Sequence, residues 1–371
     1  MMKKTNFKKA LCLILTIYTL LIAPISSGAE ELSCQSFSSE EASPALSENA
    51  KLASRFWELF FGSKEQSGRK ALLVPGGEVF GVKIKQKHVT VTESTGVPAL
   101  KSGDIILSVN GQQVSTASDV KRIVAASGGE SVTIRALHAG NEIGVEIRPT
   151  LRDGEYKLGL SLRDGAAGLG TVTFFDPDTG VFGGLGHGIC DSETGEVISM
   201  KSGEVCGVIL GGIHRGESGK PGELCGVLTD KDMGDLSVNS ECGVFGVITD
   251  PSLLSGSAMP IGSREEITEG EATIISTLKN NKTAEYKIEI YDIDRSSDGS
   301  KSFRIRVTDE TLKAISGGIV RGMSGSPIIQ NGKLVGAVTH VLVADPTEGY
   351  GIFIENMLNA SEVARTELPA A

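Results

Sequence analysis

The stretch Gly318-Ile319-Val320-Arg321-Gly322-Met323-Ser324-Gly325-Ser326-Pro327-Ile328-Ile329 is where the reading of this chain begins. A serine hydroxyl is a poor nucleophile unless it projects from a tight turn toward a base while amide hydrogens converge on the developing oxyanion. Gly322 and Gly325 bracket Ser324 and permit the unusual dihedrals of such a turn, so the amides of Gly322 and Ser324 can point the same way. Those two amides are the candidate oxyanion hole. The competing account is a glycine- and serine-rich hairpin loop without chemistry. Gly332-Lys333-Leu334-Val335-Gly336-Ala337-Val338-Thr339-His340 follows, so Pro327 to Ile329 and Leu334 to Val338 read as a hairpin.

A nucleophile of this kind needs a general base. In Gly183-Gly184-Leu185-Gly186-His187-Gly188-Ile189-Cys190-Asp191 a histidine stands between two glycines at a strand end, with an exposed ring edge and little steric cover. His88 and His138 fall in another part of the chain, and His214 and His340 sit in a polar turn and a strand where a structural role suffices. His187 precedes Ser324 by 137 residues, the His-before-Ser order of the chymotrypsin-like fold, and the hairpin after Ser324 matches the strands after that fold's nucleophile. The third member should be a carboxylate that holds the imidazole tautomer. Spacing leaves Asp230, Asp232, Asp235 and Asp250 open, at 43 to 63 residues after His187.

Upstream, residues 70–150 have a logic of their own. Val79 to Ile84 alternates as a strand, His88 to Val91 follows, and Gly103-Asp104-Ile105-Ile106 to Val109-Asn110-Gly111 is a loop, strand and tight turn. Thr116 caps a helix through Val120, Ile123 and Val124 that stops at Gly128-Gly129, and strands Val132 to Leu137 and Ile143 to Ile147 close the unit. This order resembles a PDZ domain. By that resemblance Gly77, Glu78, Val79, Phe80 and Gly81 form a loop that receives a terminal carboxylate or a turn of peptide. Val82 to Ile84 would be the edge strand that a partner extends.

From 151 to 371 the chain is glycine-dense and strand-like, with expected strands at Leu158 to Leu162, Gly170 to Phe175, Gly180 to Leu185, Ala272 to Thr277, Tyr286 to Tyr291 and Ser302 to Val307, and a closing helix from Glu355 to Val363. Glycine is 47 of 371 residues and aromatics are 5%, which favours strands and turns over a helical bundle. The expected fold class is mainly β: a PDZ domain followed by a chymotrypsin-like double β-barrel. A net charge of −10 argues against nucleic acid as a partner.

Cys206-Gly207-Val208, Cys225-Gly226-Val227 and Cys242-Gly243-Val244 recur, each opening a β-branched run, and read as small buried residues in successive strands. A zinc site built from them with His214 matches no common ligand spacing, so neither a metal nor a cofactor is expected. At the N-terminus Lys3, Lys4, Lys8 and Lys9 precede the apolar run Ala10 to Ile25, and Ser27 and Ala29 stand at the −3 and −1 positions of a cleavage site. Residues 1–29 therefore read equally as a signal peptide or a membrane anchor, with the chain beyond exported. Residues 30–68 read as a linker with a short helix around Trp57.

The unit order, the segment Gly-Leu-Gly-His-Gly-Ile (185–189 with Gly184) and the run Gly317 to Leu358 together resemble the stage IV sporulation protein B peptidases of spore-forming bacteria. The resemblance spans Leu72 to Leu358. It implies that Ser324 is nucleophile, His187 base, and Asp309 of Val307-Thr308-Asp309-Glu310 the acid, in place of Asp230 to Asp250; Glu310 is the neighbouring alternative. It further implies a sporulation signalling serine endopeptidase, exported from the forespore into the space between two membranes. There it would cut itself and then a membrane-bound regulator met through the PDZ-like domain, leading to sigma-factor processing. A noncatalytic PDZ adaptor carrying a degenerate barrel is the alternative from another class.

Overall fold

The computed structural model of the chain describes residues 72–366 apart from 193, 250–255 and 280, without the side chains of 362–366. The expected leader or anchor (1–29), the linker helix around Trp57 and Asp250 lie outside the described residues. Among the described residues no helix is long and apolar enough to cross a membrane.

In chain order, β1 (Leu72–Pro75) and β2 (Val79–Ser94) precede β3 (Ile105–Val109), β4 (Gln112–Gln113), α1 (Ala117–Ala126), β5 (Val132–His138) and β6 (Asn141–Ile147). A ribbon of β7 (Thr150–Arg152) and β8 (Glu155–Lys157) leads to β9 (Leu160–Phe175), β10 (Val181–Gly184), β11 (Met200–His214), β12 (Glu223–Ser240) and β13 (Gly243–Ile248). After β14 (Met259–Pro260) come β15 (Gly270–Lys279), β16 (Lys282–Tyr291), β17 (Phe303–Val307), α2 (Glu310–Ser316), β18 (Pro327–Gln330), β19 (Lys333–Val341), β20 (Glu348–Phe353) and α3 (Ile354–Thr366).

Two six-stranded barrels result. In the first, β9, β10, β13, β12, β11 and β2 pair in that order, and β2 pairs back onto β9 to close the ring. The second is the closed order β15, β16, β17, β20, β19, β18. Alternating side chains fill each: Phe80, Val82, Phe182 and Val244 in the first, Ile274, Ile288, Phe303 and Val338 in the second. This is the expected double barrel.

A third core, with Val89, Ile106, Val120 and Ile134, belongs to the PDZ-like body. Its helix starts as the sequence indicates: the Thr116 side chain accepts from the Asp119 amide while the Asp119 carboxylate accepts from the Thr116 amide. Asn110 and Gly111, with φ of 50° and 75°, make the tight turn between β3 and β4.

The strand pairing does not divide the chain at 150. β2 and β9 each run 16 residues and serve two bodies. Val79 to Lys85 pairs with β9 at Thr171 to Gly165 inside the first barrel, whereas Thr90 to Ser94 pairs with Arg163 to Leu160 in the PDZ-like body. The PDZ-like body is thus inserted between two strands of a barrel that begins before it.

This register corrects the expected peptide-binding residues Gly77, Glu78, Val79, Phe80, Gly81, Val82 and Ile84. Gly81 to Gln86 also pairs with β11, so this half of β2 has strands on both sides and is no edge. Phe80, Val82 and Ile84 point into the barrel core. The Gly76 and Gly77 amides already donate to Thr173 and Val172, and Glu78 accepts from Val172, so the segment offers no loop of open amides to a carboxylate.

Candidate active site

The candidate base, His187, and the candidate nucleophile, Ser324, come from different barrels. β10 ends at Gly184, and Leu185 and Gly186 then take φ of 66° and 68°. A left-handed leucine is strained, and buried packing of its side chain in the first core holds it there. The turn delivers His187 to the barrel end, half-buried. Its Nδ1 lies 2.8 Å from the Gly188 carbonyl oxygen. A carbonyl only accepts, so Nδ1 carries the proton and Nε2 keeps its lone pair, the tautomer a general base requires. Burial holds the imidazole below its ordinary pKa, so it is neutral near pH 7.

In the second barrel, Gly322 (φ 97°) and Gly325 (φ 95°) shape the loop before β18. A methyl at Gly325 would come 2.0 Å from the Thr171 carbonyl oxygen and 2.5 Å from the Leu185 amide, so only glycine lets the loop seat against the first barrel. Two fully buried threonines of β9 fasten it: Thr171 Oγ1 donates to Gly322 O and Thr173 Oγ1 to Gly325 O, each at 2.8 Å, while the Thr171 amide donates to Ser324 O at 2.9 Å. Within the loop the Met323 amide bonds Val320, Gly325 bonds Val338 and Ser326 bonds Met323. Among the described residues the amides of Gly322 and Ser324 have no acceptor, as oxyanion donors must not.

Ser324, alone half-exposed among Gly322 to Ile328, donates its hydroxyl to the Thr339 carbonyl at 2.8 Å. The next residue, His340, places its ring 4.9 Å from that of His187 at a 34° tilt. Hydroxyl, carbonyl and the two imidazoles thus form one cluster in which the serine is parked on Thr339 and must rotate about χ1 to reach a base. His340 is more than the strand residue expected. Its Nδ1 is buried with no hydrogen-bond partner, and burial first, then His187 and Lys301, push its pKa down to about 3. Thr171, Thr173, Thr339 and His340 carry no local motif; only the pairing of distant strands brings them in.

Asp309 is not joined to this cluster. It caps α2: one carboxylate oxygen accepts from the Leu312 amide at 3.0 Å and the other from Lys287 at 3.2 Å. Partial burial works to raise its pKa, but the amides of Leu312, Lys287 and Thr311 outweigh it and hold the carboxyl below its ordinary value. His340 pairs with Tyr350 and Tyr350 with Arg304, whereas Asp309 lies five residues beyond Arg304, past the end of β17. Glu310 is exposed on α2 and pairs with Lys313. Asp230, Asp232 and Asp235 lie exposed on β12. Among the described residues the acceptor at His187 Nδ1 is a carbonyl, so tautomer control is present without a negative charge.

The family model for SpoIVB peptidase S55 matches residues 154–358, and that for a PDZ domain matches 99–137. A candidate zinc metalloprotease of Mesorhizobium japonicum is 30% identical over 82 residues, 22% of this chain and 22% of its own, so the chain spans about a fifth of that curated relative. Among solved structures, the PDZ domain of an SdrC-like protein from Listeria monocytogenes is 23% identical, covering 22% of this chain and 93% of its own with a TM-score of 0.20. A protease from M. tuberculosis in its active form is 14% identical, covering 69% of this chain and 88% of its own with a TM-score of 0.30.

Proposed function

Because the chain belongs to the SpoIVB peptidase S55 family and is a serine endopeptidase, we propose that Ser324 is its nucleophile, His187 its general base, and the amides of Gly322 and Ser324 its oxyanion hole. The observation that carries this reading is the pair of uncommitted amides beside a serine whose loop is bonded to the strand next to His187. After rotating off Thr339, the Ser324 hydroxyl gives its proton to His187 Nε2 as Oγ attacks the scissile carbonyl. The Gly322 and Ser324 amides donate to the oxyanion, and the imidazolium protonates the departing amine. Water then repeats the sequence on the acyl-enzyme.

The substrates we propose are proteins: the chain itself, and a membrane-bound regulator of sporulation whose cleavage leads to sigma-factor processing. The apolar, lysine-flanked N-terminus supports export, by cleaved signal or retained anchor, and the family resemblance is what suggests the space around the forespore as its destination. For partner docking, the supported edge is the start of β9. Leu160 to Arg163 pairs only with β2 among the described strands, and α1 lies beside it through the Ala117 amide bonded to Asp164 at 2.8 Å.

The test is a labelled fluorophosphonate on the full chain, with modified peptides and self-generated N-termini mapped. Labelling at Ser324, lost in His187→Ala, is the expected result. A folded chain that reacts at no serine, or equally well in His187→Ala, refutes the assignment.

A further inference from the structure

The long β11–β12 ribbon ends beside the nucleophile loop and carries a cluster the peptidase chemistry does not use. His214 and Glu223 are direct cross-strand partners, and Cys225, two residues on and so on the same face, stands opposite Gly212. An imidazole nitrogen, a carboxylate oxygen and the Cys225 sulfur lie within 4.8 Å of one another. His214 Nδ1 is 3.0 Å from Glu223 Oε1, with side chains 73% and 51% exposed, so the pair contributes little to stability. A Cβ at Gly212 would meet nothing within 4 Å, leaving open space over the Cys225 thiol, which is free. A set of His214 with all three cysteines is not formed: Cys206 is buried against Gly81, and the Cys242 sulfur lies at Asp298.

We propose that His214, Glu223 and Cys225 bind a divalent ion of the zinc class, with water as fourth ligand. One nitrogen, one oxygen and one sulfur suit a borderline-soft ion and exclude calcium and magnesium, which take oxygen ligands only. Tetrahedral bonds of 2.0–2.3 Å place ligand atoms about 3.5 Å apart, so side-chain rotations that close the present gap by about 1 Å complete the site. The thiol proton leaves to solvent as the Zn–S bond forms. The frame is rigid where it matters: Arg321 bridges Glu223 in parallel, the Leu224 amide donates to Arg321 O and the Arg321 amide to Gly222 O, each at 2.9 Å. Leu224 also packs on Gly322. An ion here ties the two strands together one residue from the oxyanion loop.

The probe is cobalt(II), titrated into metal-stripped full-length chain carrying Ser324→Ala to prevent self-cleavage, followed by zinc displacement. A saturable one-to-one thiolate-to-cobalt absorption band is expected. Cys225→Ser should abolish the band and, like His214→Ala, lower zinc affinity at least tenfold, while Cys242→Ser keeps both. Zinc should raise the unfolding temperature of the parent chain and leave that of Cys225→Ser unchanged. Absence of the band in the parent, or its survival in Cys225→Ser, overturns the proposal. His214 is exposed, so its variant tests the site without burdening the fold.

Discussion

Acid should destabilise this protein through His340, and the size of the effect follows from where that ring sits. Burial and the neighbouring His187 and Lys301 push its pKa down to about 3, whereas in the unfolded chain it titrates near ~6.5. The folded state therefore refuses a proton that the unfolded state accepts. The neutral-ring stability is fully present above pH ~6.5 and is lost as pH falls toward 3. From pH 6.5 to 4 the loss is 2.5 pH units at ~1.4 kcal/mol each, about 3 kcal/mol, a large share of the 5–15 kcal/mol typical of a folded domain. Carboxylates such as Glu348, whose bonds to arginine hold their pKa down, add acid sensitivity of the same sign. The assay is therefore a difference: urea unfolding at pH 7, 5 and 4 for the wild type and for His340→Phe, which keeps a ring and cannot be charged. The variant should lose about 3 kcal/mol less than the wild type between pH 7 and 4. Equal losses in the two chains would show that His340 protonates freely in the folded state, and the buried histidine pair would have to be abandoned.

What the sequence made legible was local. Gly-x-Ser-Gly and Gly-His-Gly each fit within a single turn, and the capped helix at Thr116 and the Asn110-Gly111 turn follow from neighbours a few residues apart. The insertion of one body into another was hidden by glycine. The expected strands Leu158 to Leu162 and Gly170 to Phe175 left a gap between them, yet Gly165, Gly168 and Gly170 all lie inside β9. A Cβ would come 2.6 Å from Ile84 O at Gly165 and 2.2 Å from Leu185 Cδ2 at Gly170, so two of them are close-approach residues of a strand interior. Without a gap there, two expected strands are one, and β2 loses the free edge assigned to it. The clamp from Thr171 and Thr173 joins residues 151 and 152 apart, a separation no periodicity reports. The Asp309 signal was present and pointed to a helix: an Asp ahead of Glu310, with Leu312 and Ile315 at helical spacing, is an N-cap pattern.

Three further outcomes follow from the site and its frame. The acid limb of kcat/KM should lie below pH ~6.5, because burial lowers the His187 pKa and keeps the base neutral further into acid; a limb above 6.5 in a pH–rate profile excludes this environment for the base. Gly81→Val should unfold the first barrel at a lower temperature rather than weaken peptide docking selectively, since even a Cβ would meet Leu228 Cδ2 at 2.4 Å and the Cys206 sulfur at 2.7 Å; an unchanged melting curve refutes the pairing of β2 on both sides. Asp309 separates resemblance from geometry. As a triad acid its change to Asn would mis-set the tautomer and cost about 10⁴ in kcat. As a helix cap it is replaced well by Asn, so Asp309→Asn should keep kcat within a few fold, while Asp309→Ala should cost about 1 kcal/mol of stability in urea. A loss of 10³ or more in kcat for a folded Asp309→Asn chain would mean that the carboxylate leaves its cap and reaches His187 during turnover.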